Sequence, residues 1–236
     1  MNRAALLAGA GGILIGASAM VIAGGSGFGP RSERAEIEAI VHDYILANPE
    51  ILPDAMRRLQ DREVAKVVDA NRQALETPFG GAWAGAKDAD VVLVEFFDYA
   101  CGFCRKSNAD VERLLDEDKK LKVVWREWPV LGQDSLAAAE ASLAAASQGR
   151  FRDYHDRLFA QGRPTPGAVA AATTGAGVAH AHASPEYRRE IEKNYELARG
   201  IGATGTPTFV VGNKVLQGAV GYDALKAAIA EARSSS

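Results

Sequence analysis

Cysteine is almost absent from this chain. The two that occur among 236 residues, Cys101 and Cys104, exclude a framework of disulfide staples. None is needed, because a chain of this length can bury a core of its own. Charge of one sign is also lacking: 27 Lys and Arg stand against 30 Asp and Glu, interspersed, for a formal net charge of -3. That balance carries no nucleic-acid footprint. Histidine is limited to His42, His155, His180 and His182, so a structural zinc site built on the two cysteines would have few supplements. The H-x-H spacing of His180 and His182 also departs from the usual H-x(3–5)-H. Arg105, not His, follows the second cysteine, which excludes covalent haem attachment. A purely structural disulfide in so short a loop would contribute only about 2 kcal/mol.

Long apolar runs are confined to the start. From Ala4 to Gly27 no charge appears, and the segment within residues 1–30 reads as an export sequence. It is either a signal peptide, with small-residue cleavage sites at Ala17–Ala19 or Val21–Ala23, or an uncleaved membrane anchor. Either way the rest of the chain is expected to leave the cytoplasm for a compartment where a cysteine pair can remain oxidised. His180 and His182 could hold copper loosely, but alternating His in an Ala-rich region reads as solvent-exposed, and no metal site is assigned.

Residues 31–76 pattern as two helices. Ile37, Ile40, Val41, Tyr44 and Ile45 recur at helical spacing, Asn48 is expected to cap a second helix, and Pro49 suits its first position. Leu52, Met56, Leu59, Val67 and Leu75 form a stripe on a charged helix so thin that another surface must cover it. The segment therefore reads as an oligomerisation arm, with a solvated helix lying on the main domain as the alternative. Thr77 to Asp90 reads as a Gly-rich loop. A strand at Val91–Phe97, a helix from Cys101 to Asp118 and a strand from Leu121 to Trp128 follow. Residues 134–203 are helical in pattern, then come a hairpin around Gly212–Asn213 and a last helix from Tyr222. This order is α/β.

Position explains the cysteine pair. Cys101 stands where a helix begins, and unpaired N–H groups and the helix dipole favour its thiolate. Cys104, one turn further in, is placed to attack a mixed disulfide from inside. Tyr99 and Phe103 are expected to flank the pair as apolar contact surface, and His155 to pack or hydrogen-bond within the helical region.

The stretches "EFFDYACGFC", "GTPTFVVGN" and "LQGA" resemble the DsbA-like branch of the thioredoxin superfamily over roughly Thr77 to Arg233. The preceding "AEIEAIVHDYILANPEILPDAMRRL" is similar to the N-terminal segment of ScsC-type (suppressor of copper sensitivity) periplasmic disulfide isomerases. The resemblance implies a thioredoxin fold over 77–236 with a helical insertion at about 134–203, preceded by the N-terminal helical arm. It implies Cys101 as the attacking and Cys104 as the resolving cysteine, and Pro207 as a cis-proline whose neighbour Thr206 offers backbone groups to a bound peptide. Glu95 matches a buried acid. A carboxyl inside "VVLVEFF" is indeed expected to be desolvated, raised in pKa and able to exchange protons with Cys104. Gly102-Phe103 between the cysteines and Thr206 before the proline resemble isomerases more than dedicated oxidases. Implied partners are unfolded or misoxidised proteins, a membrane redox partner and further copies of the chain, with no cofactor beyond the dithiol. Two alternatives stay open: a monomeric DsbA-like oxidase, and a copper-binding or chaperone module that uses the cysteines as metal ligands.

Overall fold

A computed structural model describes residues 30–179, 181 and 183–235; the expected signal or anchor, His180 and His182 lie outside them. The chain divides into two compact units, Met1–Asp54 and Ala55–Ser236. In the first, α1 (Pro30–Ala47) carries the expected apolar stripe, and Ile37, Ile40 and Tyr44 are each 60% exposed. Asn48 does not cap the next helix. Its side-chain amide donates to the Tyr44 carbonyl at 2.8 Å and so closes α1 instead.

Helix α2 (Ile51–Ala70) starts with Pro53 in its first turn, where a missing N–H costs nothing. It ends at Asn71, whose side chain donates to the Val67 carbonyl, and α3 (Arg72–Glu76) follows. The arm expected to extend to Glu76 gives way earlier: Val64, Val67, Val68 and Leu75 pack with Phe96, Val124 and Leu197. The thin stripe is covered there by the chain's own sheet.

The described strands are β1 (Trp83–Gly85), β2 (Val91–Phe97), β3 (Leu121–Glu127), β4 (Thr208–Val211) and β5 (Lys214–Gln217), in the spatial order β1-β3-β2-β4-β5. Helix α4 (Gly102–Glu117) connects the parallel pair β2 and β3. Helices α5 (Gln133–Ser147), α6 (Phe151–Gln161), α7 (Pro166–Gly175) and α8 (Pro185–Gly200) lie between β3 and β4, and α9 (Tyr222–Ser234) closes the fold. This is a thioredoxin fold with a helical insertion. β1 was not expected. It is three residues long, too short for alternation to show, and it pairs antiparallel with β3 inside the Gly-rich stretch. Gly85 has φ 95°, and a Cβ there would stand 2.2 Å from the Leu121 carbonyl oxygen, so this edge tolerates only glycine.

β2 is a run of branched and aromatic residues because both of its faces are covered. Leu93 and Phe97 point with Leu121, Val123 and Trp125 toward Val111, Ala145, Phe151 and Leu225. Val94 and Phe96 point the opposite way, toward Val68, Leu75 and Leu197. On that second face the buried Arg126 fastens α3 and α8 to the sheet. It donates to the carbonyls of Leu75 (3.0 Å), Thr77 (2.7 Å) and Ala74, to Glu190 Oε1 (3.0 Å) and to Asn194 Oδ1 (2.9 Å). The guanidinium thus caps the exposed carbonyls at the end of a helix.

Candidate active site

Alternation along β2 puts Glu95 on the same face as Leu93 and Phe97, toward α4, in register with Trp125 of β3. The Trp125 indole N–H donates to Glu95 Oε2 at 3.1 Å. Burial, then the charges of Cys101 and Glu112, hold the Glu95 pKa up at about 8, although the indole bond opposes this.

Beyond β2 the chain turns, and Cys101 becomes the N-cap of α4: its sulfur accepts the Cys104 N–H at 3.3 Å. The Cys101 pKa falls to about 5. The hydrogen bond from the Cys104 thiol is the main cause, followed by bonds from the Thr206 side chain and the N–H groups of Cys104 and Phe103. Burial of Cys104 pushes its pKa upward, reinforced by the bond it gives to Cys101 and by the Glu95 charge. Both cysteines are free thiols, so the motif holds one sulfur suited to being an anion and one that keeps its proton. At Gly102, no atom stands within 4 Å of where a Cβ would be, and Phe103 is 67% exposed. Approach to the helix start is open.

The loop before β4 completes the site. The Thr206–Pro207 peptide bond is cis, and the Thr206 carbonyl oxygen lies 3.2 Å from the Cys101 sulfur. Thr206 is half-buried and Pro207 buried. The structure therefore brings Cys101, Cys104, Glu95, Gly102, Phe103, Thr206 and Pro207 to one end of the sheet.

Tyr99 does not belong to that surface. It is 1% exposed, stacks edge-on against Phe97 and Tyr154, and its hydroxyl meets Ser142 Oγ at 2.9 Å and His155 Nδ1 at 3.2 Å. The expectation that it contacts substrate is corrected: Tyr99 continues the inward parity of Phe97 and is core. His155 packs as expected, among Phe97, Trp125, Phe151 and Phe159, and burial keeps its pKa well below the ordinary value, so it is neutral. Two residues near the dithiol were missed in the sequence. Trp125 pairs with Glu95, and that pairing follows only from the β2–β3 register. Asp98 had no assigned place, although Asp directly after a strand is a turn signal.

A CxxC at a strand-to-helix junction, facing a cis X-Pro loop on a thioredoxin-like sheet, defines a thioredoxin-fold dithiol protein. The chain belongs to the DSBA-like thioredoxin domain family, which residues 92–230 match. Residues 33–66 match the Copper resistance protein ScsC N-terminal domain. In solved structures, the chain is similar to a linker-deletion mutant of Proteus mirabilis ScsC, with 27% identity and a TM-score of 0.72, covering 89% of this chain and 100% of that one. Among curated proteins it is 31% identical over 159 residues to Na(+)/H(+) antiporter NhaA 3 of Salinispora tropica, covering 64% of this chain. It spans only 24% of that relative's length. It is also 28% identical to Disulfide bond formation protein D of Bacillus subtilis, covering 61% of this chain and 73% of that protein.

Proposed function

We propose that the chain is an exported, periplasmic protein thiol–disulfide oxidoreductase that exchanges or isomerises disulfides in unfolded or misoxidised proteins. The dithiol is its only redox group, and no added cofactor is required. The observation that carries this reading is the pairing of a depressed Cys101 pKa at the helix start with a buried, protonated Cys104 one turn behind it. Cys101 thiolate attacks a client disulfide, forms a Cys101–client disulfide and expels one client thiolate. A second client thiolate can then attack the client sulfur, which regenerates Cys101 and leaves a rearranged client. Alternatively Cys104 gives its proton to Glu95 and attacks Cys101, releasing a client thiol and closing the Cys101–Cys104 disulfide. That outcome reduces the client by two electrons and requires a membrane redox partner to restore the dithiol. The Thr206 backbone, Gly102 and Phe103 receive the client chain beside the sulfur.

The isomerase form of this reading rests on α1 and the start of α2. Ile37, Ile40, Tyr44 and Leu52 in the first unit, and Met56 and Leu59 in the second, are all more than half exposed, apolar surface that further copies of the chain would cover. A monomeric oxidase is the second reading, favoured by the similarity to Disulfide bond formation protein D.

The test is reactivation of a scrambled client with several disulfides. The full chain should restore its activity, and the chain lacking residues 31–54 should not, while both still exchange a simple disulfide. Restoration by neither would end the isomerase reading.

A further inference from the structure

Glu95 is 2% exposed, yet an unbroken series of contacts joins it to the surface. Its Oε2 accepts the Trp125 indole N–H at 3.1 Å, and over that indole lies the guanidinium of Arg152, its carbon 4.8 Å from the ring centroid. Arg152 stands in the first turn of α6 and is held by carboxylates: Nη2 donates to Glu112 Oε2 of α4 at 2.6 Å and lies 3.6 Å from Asp156 Oδ2. Side chains from β2, β3, α6 and α4 thus stand in a row, from the buried acid to a half-buried ion pair.

This pair is not built as an ordinary surface ion pair. Arg152 Nη1 and Glu112 Oε1 are buried with no hydrogen-bond partner among the described residues. An arginine serving only the carboxylates would leave those atoms to water. Here the planar guanidinium is laid on the indole instead, where a cation meets the negative face of the ring. Phe151 and His155 pack on the same indole, with ring centroids 5.5 and 5.3 Å away, and burial keeps His155 neutral, so Arg152 is the cation at this ring.

Tryptophan donates a hydrogen bond but does not relay a proton, so the row is not a proton wire. What Arg152 can change is the direction and strength of one bond. A cation on the ring fixes its plane and draws electron density from the N–H, and a stronger N–H donor favours the carboxylate it meets. The titratable groups that act directly on Glu95 are Cys101, Cys104 and Glu112 of α4, while its partner on β4 is the apolar Phe209.

We propose that Arg152 is a positioning residue for the proton acceptor: by stacking on Trp125 it aims and strengthens the indole N–H that stabilises the Glu95 carboxylate, the form that takes the proton of Cys104. The inference rests on the thiol–disulfide reading given above.

The test is infrared titration of the Glu95 carboxyl band in the oxidised full-length protein, the band being assigned by its loss in Glu95→Gln. Arg152→Met keeps much of the side-chain length and removes the cation. It should move the midpoint up by about half a pH unit, the size of a cation–π contact. Fewer molecules then hold ionised Glu95 at pH 7, so resolution of the mixed disulfide should slow about threefold while the first attack by Cys101 is unchanged. That deficit should close as pH rises past the midpoint. Arg152→Lys, which returns a cation to the ring, should recover most of the shift. In Trp125→Phe the N–H is already gone, and adding Arg152→Met should move the midpoint no further. An unmoved midpoint in Arg152→Met would make the stack merely structural and overturn the proposal. The same upward move in the Trp125→Phe background would also overturn it, because Arg152 would then act on Glu95 as a direct charge. Should Arg152→Met fail to fold, Arg152→Gln, which still donates to Glu112, is titrated in its place with the same expectation. If the unaltered protein exchanges no disulfide at all, the functional reading fails instead, and the infrared midpoint still decides the role of Arg152.

Discussion

The indole N–H of Trp125 donates to the Glu95 carboxyl at 3.1 Å across paired positions of adjacent strands, and this bond holds the only polar side chain of β2 directly behind the dithiol. With a pKa near 8 the carboxyl holds its own proton in most molecules at pH 7, and its ionised fraction, growing toward pH 8, takes the proton of Cys104 and returns it later. Glu95→Gln should slow resolution of the mixed disulfide by about a hundredfold while the first attack by Cys101 changes less than about threefold. Stopped-flow traces of the two phases separate them, and equal rates in both would make Glu95 structural. Trp125→Phe, which removes a bond favouring the anion, should raise the Glu95 pKa further, read by infrared titration of the carboxyl band.

Cys101 should react with iodoacetamide at a rate that follows its thiolate, rising through about pH 5 and level above pH 7. Cys104 should be at least about a hundredfold slower at pH 7, since burial keeps its proton on. Mass spectrometry of the timed products assigns each sulfur. Equal labelling would contradict the division of roles.

Stability should depend on pH in opposite senses for the two groups. Cys101 is depressed from 9.0 to about 5, so the unfolded reduced chain binds more protons between these values. Stability of the reduced protein from this group therefore grows as pH rises from 5 to 9, and is lost as pH falls through 5. Glu95 is raised from 4.5 to about 8, so the folded state binds more protons and stability from this group declines as pH rises through that window. The disulfide form lacks the Cys101 contribution. Urea midpoints of oxidised protein should fall between pH 4.5 and 8 relative to Glu95→Gln, and a flat difference would refute the burial account of Glu95.

Much of this site was legible in the sequence because its parts interrupt regular patterns. Glu95 breaks an apolar strand and Cys101 stands at a helix start, whereas the place of Pro207 came from the resemblance of its stretch. Tyr99 was misread because nearness in sequence to the cysteines outweighed its parity with Phe97, which sends it into the core. β1 was missed because three residues cannot show a period of two. What covers the stripe was not legible, because a hydrophobic stripe states that cover is needed, not what supplies it; from Val64 onward the sheet does. The Asp98 carboxylate accepts the Leu131 N–H across thirty-three positions, and no local pattern joins them.

Removing residues 31–54 deletes the exposed face of α1 but leaves Val68, Leu75 and the Arg126 clasp intact. The shortened chain should remain folded and be monomeric in light scattering. The full chain lacking only residues 1–30 should be oligomeric. A monomer in the second case would favour the oxidase reading.

The central claim, that Cys101 alone captures client disulfides, is tested most directly by trapping the mixed disulfide. Cys104→Ala, mixed with a disulfide-bonded client and quenched with acid, should yield a covalent adduct of one protein and one client, dissolved by reductant. Cys101→Ala, which keeps the buried Cys104, should yield none. An adduct in Cys101→Ala, or none in Cys104→Ala, would contradict the account.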